Sequence, residues 1–473
     1  MSDPAFVSTD ETRRAFSAAM SEMYRAEVPQ YGTLMSLVAE VNAQRLAGEP
    51  ELARSLERAG EIDRLSDERH GAIRVGTAEE LATIARLFAV MGMEPVGYYD
   101  LAVAGIPVHS TAFRPVSDEA LSQNPFRVFT SLLRLDLLDD PALRAEAAEI
   151  LARRQIFTEG ALALIERFEA RGGLTREEAE TFVAEALETF RWHCEATVDA
   201  ATYERLSTAH RLVADVVCFK GPHINHLTPR TLDIEAVQRA MPARGIEPKA
   251  VIEGPPERNC PILLRQTSFK ALEEPIHFTK GPVAGSDDAR AGRHTARFGE
   301  IEQRGVALTP KGRALYDELL ATVRSGASVG AGGAGAGDYD AALRERFAAF
   351  PDDAETLRLQ GLAFFRYAPT ASGLEAAASG RAGEKLDDLV SAGHASADPI
   401  VYEDFLPVSA AGIFQSNLGT DAQSNAGSRG NRAAFEQALG RGVLDETALY
   451  AKAEAASIER LRQALKSARA RAA

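Results

Sequence analysis

A chain of 473 residues, 45% hydrophobic and 26% charged, exceeds what one hydrophobic core usually serves and reads as a globular protein in two or more packed units. Its net charge of −15 argues against nucleic acid as the main partner, and an anionic substrate must be drawn in by a local cation. No apolar run approaches a membrane span, the N-terminus lacks signal-peptide character, and three separated cysteines (Cys194, Cys218, Cys260) argue against a disulfide framework, so a reducing cytoplasm is the expected location.

Residues 9–60 read as helical, with a cap at Thr9-Asp10-Glu11-Thr12 and apolar residues at helical spacing through Phe16, Met20, Met23 and Tyr24. Pro29 breaks this pattern before a second helix at about 33–46. The stretch 59–77 is polar and glycine-punctuated, and it holds His70 and Arg74. Thr77, with Glu80 three residues on, reads as a capping box opening a helix to about residue 91. Three strand-like runs follow at 96–101, 108–113 and 126–135, suggesting a sheet to which the His70 segment is attached. From 141 to about 217 the chain is rich in Ala, Glu, Arg and Leu and reads as helices with one break at Gly172-Gly173. Within that block, Trp192 and His193 read as a packed indole beside a helix-surface histidine.

Further on come a helix at 231–240, strands at 262–269 and 297–302, and a helix at 311–323. Residues 325–337 read as a flexible glycine-rich loop. A formal G-x-G-x-x-G at Gly330, Gly332 and Gly335 is rejected as a nucleotide fingerprint, because a helix precedes it where a strand is required. Helical segments at 338–350 and 354–363 lead to 399–406. A charged amphipathic helix at 447–470 suits packing across a domain or against a second subunit, which leaves a homo-oligomer open.

Chemistry concentrates around 214–230. An apolar run at 216–219 reads as a buried strand stopping at Gly221-Pro222, followed by His223 and His226 and a second breaker at Pro229. Two distant stretches carry similar residue types, 67–74 with His70 and Arg74, and 297–305 with Glu300 and Glu302. His109, His193, His210, His277, His294 and His394 read instead as solvated or merely hydrogen-bonded. Two imidazoles and a carboxylate on one face of an octahedral ion leave three positions open, two for a chelating 2-oxo acid and one for dioxygen. Glu300 and Glu302 point to the same face of a strand, so pattern alone does not choose between them. The bland alternative makes both surface carboxylates paired with Arg297 and Arg304. Arg74 follows His70 by four residues, which on one helical turn puts both side chains on a shared face. A guanidinium there grips a carboxylate with two parallel bonds, unless it is an ordinary surface arginine. The stretch 405–419 is poor in charge and rich in small residues, letting the backbone N–H groups of Val408 and Ser409 approach a ligand, or else it is a buried turn.

Four segments together resemble one family: Arg69-His70-Gly71-Ala72-Ile73-Arg74, Asn225-His226-Leu227-Thr228-Pro229-Arg230, Phe298-Gly299-Glu300-Ile301-Glu302-Gln303-Arg304-Gly305 with the following 307–313, and Pro407-Val408-Ser409-Ala410-Ala411-Gly412-Ile413-Phe414. The resemblance is to the 2-oxoadipate dioxygenase/decarboxylase family and runs over nearly the whole chain. It implies an α+β fold, a partly open β-barrel of vicinal-oxygen-chelate type around a metal, with a large helical insert and flanking helices. The parts would be 1–140, helices and the first half of the β-core; 141–217, the insert; 218–324, the second half; 325–337, the loop; and 338–473, the remainder of the pocket and the terminal helix.

The implied activity is conversion of 2-oxoadipate and dioxygen to 2-hydroxyglutarate, in the D-form, and carbon dioxide, a step in lysine breakdown. The implied cofactor is Fe(II), held by His70, His226 and Glu300, with Glu302 in reserve. His70, Arg74, Val408 and Ser409 are the implied substrate contacts, with Arg74 the residue on which catalysis depends. A zinc hydrolase using the same ligands and a non-catalytic metabolite-binding protein are the rivals.

Overall fold

The computed structural model describes residues 6–269, 273–279, 291–295, 297–326, 335–406 and 431–472. Local signals set the first elements. Ser8 and Glu11 form a reciprocal capping box that opens the helix Thr9–Glu27, and Pro29 does not merely interrupt but begins the next helix, Pro29–Gly48, at its first position. Thr77 caps the helix Ala78–Ala89 as expected, yet the Glu80 carboxylate reaches the Gly76 N–H instead of closing the box on Thr77.

The centre is a five-stranded sheet. Its strands are β1 (Arg69–Val75), β2 (Glu94–Asp100), β3 (Val108–Arg114), β4 (Arg127–Leu133) and β5 (Leu227–Pro229), in the order β2-β3-β4-β1-β5. β1 runs parallel to β4, and the other pairings are antiparallel. All seven residues of β1 are buried, so both faces of the sheet are covered. Alternation then divides the strand between two cores. Ile73 and Val75 join Val128, Leu132 and Phe113 beneath the N-terminal helices, whereas Ala72 joins Phe129 and Ala112 on the opposite face.

Four further strands matter to the site: β6 (Leu264–Ser268), β7 (Glu274–His277), β8 (Ala291–His294) and β9 (Glu300–Arg304). β6 pairs with β9 and β7 with β8, both antiparallel. A single bridge between Arg230 and Glu302, with the Thr231 N–H donating to Glu302 O at 2.7 Å, carries the large sheet from the end of β5 to β9. Among the described residues the strands do not close into a barrel, and the fold is α+β. A ribbon of β10 (Phe365–Pro369) and β11 (Ala395–Pro399) is gripped by the terminal helix Glu446–Ala472, whose Glu454 and Ser457 side chains accept from the N–H groups of Phe365 and Tyr367. That helix therefore packs on its own chain.

Two readings of the sequence need correction. The apolar run 216–219 is not a strand, because Val216 and Val217 end the helix Arg211–Val217, capped by the His210 side chain. A short run buried on every side has no periodicity to separate helix from strand. His70 and Arg74 likewise lie on a strand and not on a helical turn. They do share a face, through the two-residue repeat, at a Cα separation of roughly 13 Å and not one helical pitch. Val408, Ser409, Gly330 and Gly332 lie outside the described residues.

Candidate metal centre

His70 stands on β1, His226 on the segment entering β5, and Glu300 opens β9. One nitrogen of each ring and one carboxylate oxygen all lie within 4.8 Å of one another, and all three residues are buried. His70 Nε2 is 3.0 Å and His226 Nε2 4.0 Å from Glu300 Oε1, and the two rings meet nearly at right angles. Thr228 Oγ1 and Gln266 Nε2 also donate to Glu300 Oε1, at 3.1 and 2.7 Å.

Glu302 occupies a different place. Its two oxygens accept a forked pair of bonds from Arg304, each 2.8 Å, and Oε2 lies 2.8 Å from His70 Nδ1. That contact is one of charge proximity outside hydrogen-bond geometry, whereas Nε2 is hydrogen-bonded to Glu300 Oε1, so the ring lies between the two carboxylates. A proton on Nε2 satisfies the 3.0 Å contact with Glu300 Oε1, and a cation can take that proton's place. Glu300 Oε2 and His226 Nδ1 are buried and have no hydrogen-bond partner among the described residues. Two imidazoles and a carboxylate with an orphaned oxygen suit a divalent transition ion.

The electrostatics agree. Burial drives the His226 ring down to about 4, outweighing Glu300, so it is a neutral donor at neutral pH. Burial also opposes charge on His70, but Glu302 and Glu300 outweigh it and raise its affinity for a proton. The Glu300 carboxyl is held below the ordinary range by His226 and His70, and that of Glu302 further down by Arg304 and His70, in both cases against burial. The expected surface pairing therefore fails on exposure, since both glutamates are buried. It holds in part for Glu302 with Arg304, while Arg297 pairs with Glu274 and Glu27.

Close approach of backbone assembles this centre. The segment carrying His226 crosses β1 at Gly71, and a Cβ there would sit 2.5 Å from Ile224 Cδ1 and 3.0 Å from the His226 carbonyl oxygen. The Asn225 N–H donates to Ala72 O, and the Tyr24 hydroxyl donates to both Asn225 O and Phe298 O, joining two of the ligand-bearing segments. Phe405 packs edge-on against the His70 ring and against Phe129. Beneath the centre, Arg64, Arg114, Arg127, Arg230 and Arg304 interlock with Glu61, Glu68, Glu302, Glu403 and Asp404. These charges balance one for one, which is what their burial demands.

Arg74, on the same face of β1, is buried and donates to Asp215 Oδ2 at 2.6 Å. His294 Nε2 meets the other oxygen of that aspartate at 2.9 Å. His294 is thus buried and hydrogen-bonded, the second of the two roles expected for it. Asp215, Gln266 and the orienting contact of Glu302 escaped the sequence reading, and only Asp215 left a trace there, as a charge inside the apolar run 212–217.

The family model described as 2-oxoadipate dioxygenase/decarboxylase matches residues 16–417. The chain belongs to that family. A 2-oxoadipate dioxygenase/decarboxylase of Pseudomonas putida is 62% identical over 460 residues, spanning 97% of this chain and 98% of the relative. One from Escherichia coli is 57% identical, over 96% of this chain and 98% of its own length. Among solved structures, the hydroxyglutarate synthase of Pseudomonas putida in complex with 2-oxoadipate superposes with a TM-score of 0.90 at 60% identity, covering 97% of this chain and 99% of that one. His70, Arg74, His226, Glu300 and Glu302 all lie within the matched range.

Proposed function

We infer that the chain is a 2-oxoadipate dioxygenase/decarboxylase, and we propose that His70, His226 and Glu300 hold Fe(II) for that reaction. The convergence of these three buried side chains, in a protein whose relatives bear that name, is the observation that carries the reading. The balance is 2-oxoadipate plus dioxygen giving 2-hydroxyglutarate, in the D-form, plus carbon dioxide, so the substrate supplies its own oxo acid and no second one is consumed. Bound iron would supply Lewis acidity toward the 2-oxo acid and relay to dioxygen the electrons that the substrate gives up.

The chain's own residues do the rest. Glu302, 2.8 Å from His70 Nδ1, would accept a proton from it once Nε2 is turned to the metal, and so hold the ring. Gln266 and Thr228 fix the Glu300 carboxylate by bonds to Oε1. Arg74 grips the substrate's far carboxylate, holding one methylene toward the centre, and Val408 with Ser409 contacts the same substrate. Phe129, Phe298 and Phe405 wall the rings from water. A role in lysine breakdown and a cytoplasmic location complete the reading. No helix among the described residues is long and apolar enough to cross a membrane.

The test is anaerobic reconstitution with Fe(II), followed by oxygen uptake and product analysis on a panel of 2-oxo acids. Equimolar loss of oxygen and release of carbon dioxide and 2-hydroxyglutarate is expected. Zinc-supported turnover without oxygen uptake points to a hydrolase, and binding without turnover to a metabolite-binding protein; either overturns the reading.

A further inference from the structure

Asp215 lies on the helix Arg211–Val217 between Ala214 and Val216, and it is 5% exposed. Both its oxygens are engaged. Oδ2 accepts from Arg74 Nη1 at 2.6 Å, and Oδ1 from His294 Nε2 at 2.9 Å, with His223 Nε2 3.3 Å from the same oxygen. His294 is itself held, its Nδ1 lying 2.9 Å from the Tyr203 hydroxyl and its ring parallel to the Trp192 indole, which also meets the His223 ring edge-on. Strand β8, the turn after Gly221 and the helix Ala200–Ala209 thus converge with the Asp215 helix on one carboxylate. The carboxyl is held well below the usual range, because Arg74 and the two histidines outweigh its burial.

A buried ion pair is a poor stability device, since desolvation offsets most of its attraction, but it is a good way to fix direction. A long arginine side chain carries large rotamer freedom, and a carboxylate bound at one terminal nitrogen restricts that freedom and fixes the direction of the guanidinium. We propose that Asp215 is a positioning residue that orients Arg74 for the far carboxylate of the substrate, and that it thereby sets the preference for dicarboxylic over monocarboxylic 2-oxo acids. The proposal rests on the reading that Arg74 binds that carboxylate. It makes a prediction opposite in sign to simple charge neutralisation. If Asp215 merely cancels the charge on Arg74, removing it strengthens dicarboxylate binding; if it orients Arg74, removing it weakens that binding.

The full-length Fe(II)-loaded protein and its Asp215→Ala, Asp215→Asn and Arg74→Ala variants are compared on 2-oxoadipate and on 2-oxohexanoate, which has a methyl in place of the far carboxylate. Dissociation constants without oxygen, kcat and KM in air, and iron content are measured. Asp215→Ala is expected to lower the ratio of the two substrates' kcat/KM by about tenfold or more, the scale of a lost charge-assisted contact. Iron content and the 2-oxohexanoate values should not change. Asp215→Asn keeps an acceptor for Arg74 and should fall between Ala and wild type; it decides the matter if the Ala variant does not fold. An unchanged or increased ratio in Asp215→Asn, or equal losses on both substrates with loss of iron, overturns the proposal. If Arg74→Ala also leaves the ratio unchanged, the assignment of Arg74 has failed rather than that of Asp215.

Discussion

Glu300 and Glu302 are the same residue type on the same face of one strand, yet two positions along β9 send them to opposite nitrogens of one imidazole. Glu300 keeps a buried oxygen with no hydrogen-bond partner among the described residues, whereas both oxygens of Glu302 accept from Arg304. The two substitutions to glutamine should therefore differ in kind. Glu302→Gln is expected to weaken iron binding by about 10- to 100-fold, as loss of an orienting partner does, with activity restored at high iron. Glu300→Gln should not be restored by added iron, and titration with a chelator separates the two. Arg74→Ala should lower kcat/KM for the dicarboxylate by roughly 10- to 100-fold, equivalent to about 1.5–3 kcal/mol. Unchanged kinetics would remove the clamp from the account.

At the scale of the element, β1 is where the chain's two cores meet its chemistry. Its alternation places His70, Ala72 and Arg74 on one face, opposite Arg127, Phe129 and Ser131 of β4. The other face has a requirement of its own at Gly71, since Ile224 and the His226 backbone cross there with no room for a methyl group. Gly71→Ala should push the His226 segment outward. The expected signature is a loss of about 1–3 kcal/mol by denaturant titration, typical of overpacking, together with weaker iron binding. A normal metal affinity in a destabilised protein would show that the crossing supports the fold without setting the ligand. The helix Arg211–Val217 makes the complementary point. Its residues Leu212 to Val217 are all buried, so the core surrounds them, and the one charge among those six, Asp215, is met by Arg74 and His294.

Across the whole molecule, a balanced set of buried guanidinium and carboxylate groups ties the N-terminal residues Glu61, Arg64 and Glu68 to the C-terminal Glu403 and Asp404 beneath the metal centre. Tyr450 of the terminal helix joins through the Asp404 carboxylate. Arg127→Met should cost about 3–5 kcal/mol by urea unfolding, because it leaves five buried carboxylates to four guanidinium groups, with Glu68 and Glu403 each losing one of their partners. The same network sets an acid limit. Arg64 and Arg127 hold the Glu403 carboxyl down to about 2 against burial, and Glu68 and Glu302 are also lowered. An unfolded glutamate takes up its proton near pH 4.3, before the folded one does. The stabilisation is therefore complete above about pH 4.3 and lost progressively as pH falls toward about 2, which melting curves across that window would detect.

How much of this was legible differs by level. Helices with caps and amphipathic faces, the strands read at 96–101, 108–113, 126–135 and 297–302 (the last observed two residues further on, to Arg304), and the grouping of His70, His226 and a glutamate from 297–305 could be read from residue types and motifs, because each leaves a local chemical mark. The choice between Glu300 and Glu302, the placing of Arg74 on a strand, the helix at 211–217 and the hold of Asp215 and His294 on Arg74 required tertiary structure. Their identities depend on which partner comes within about 3 Å across separations of tens to hundreds of residues, and hydrogen bonding at that range leaves no periodicity in the chain to read.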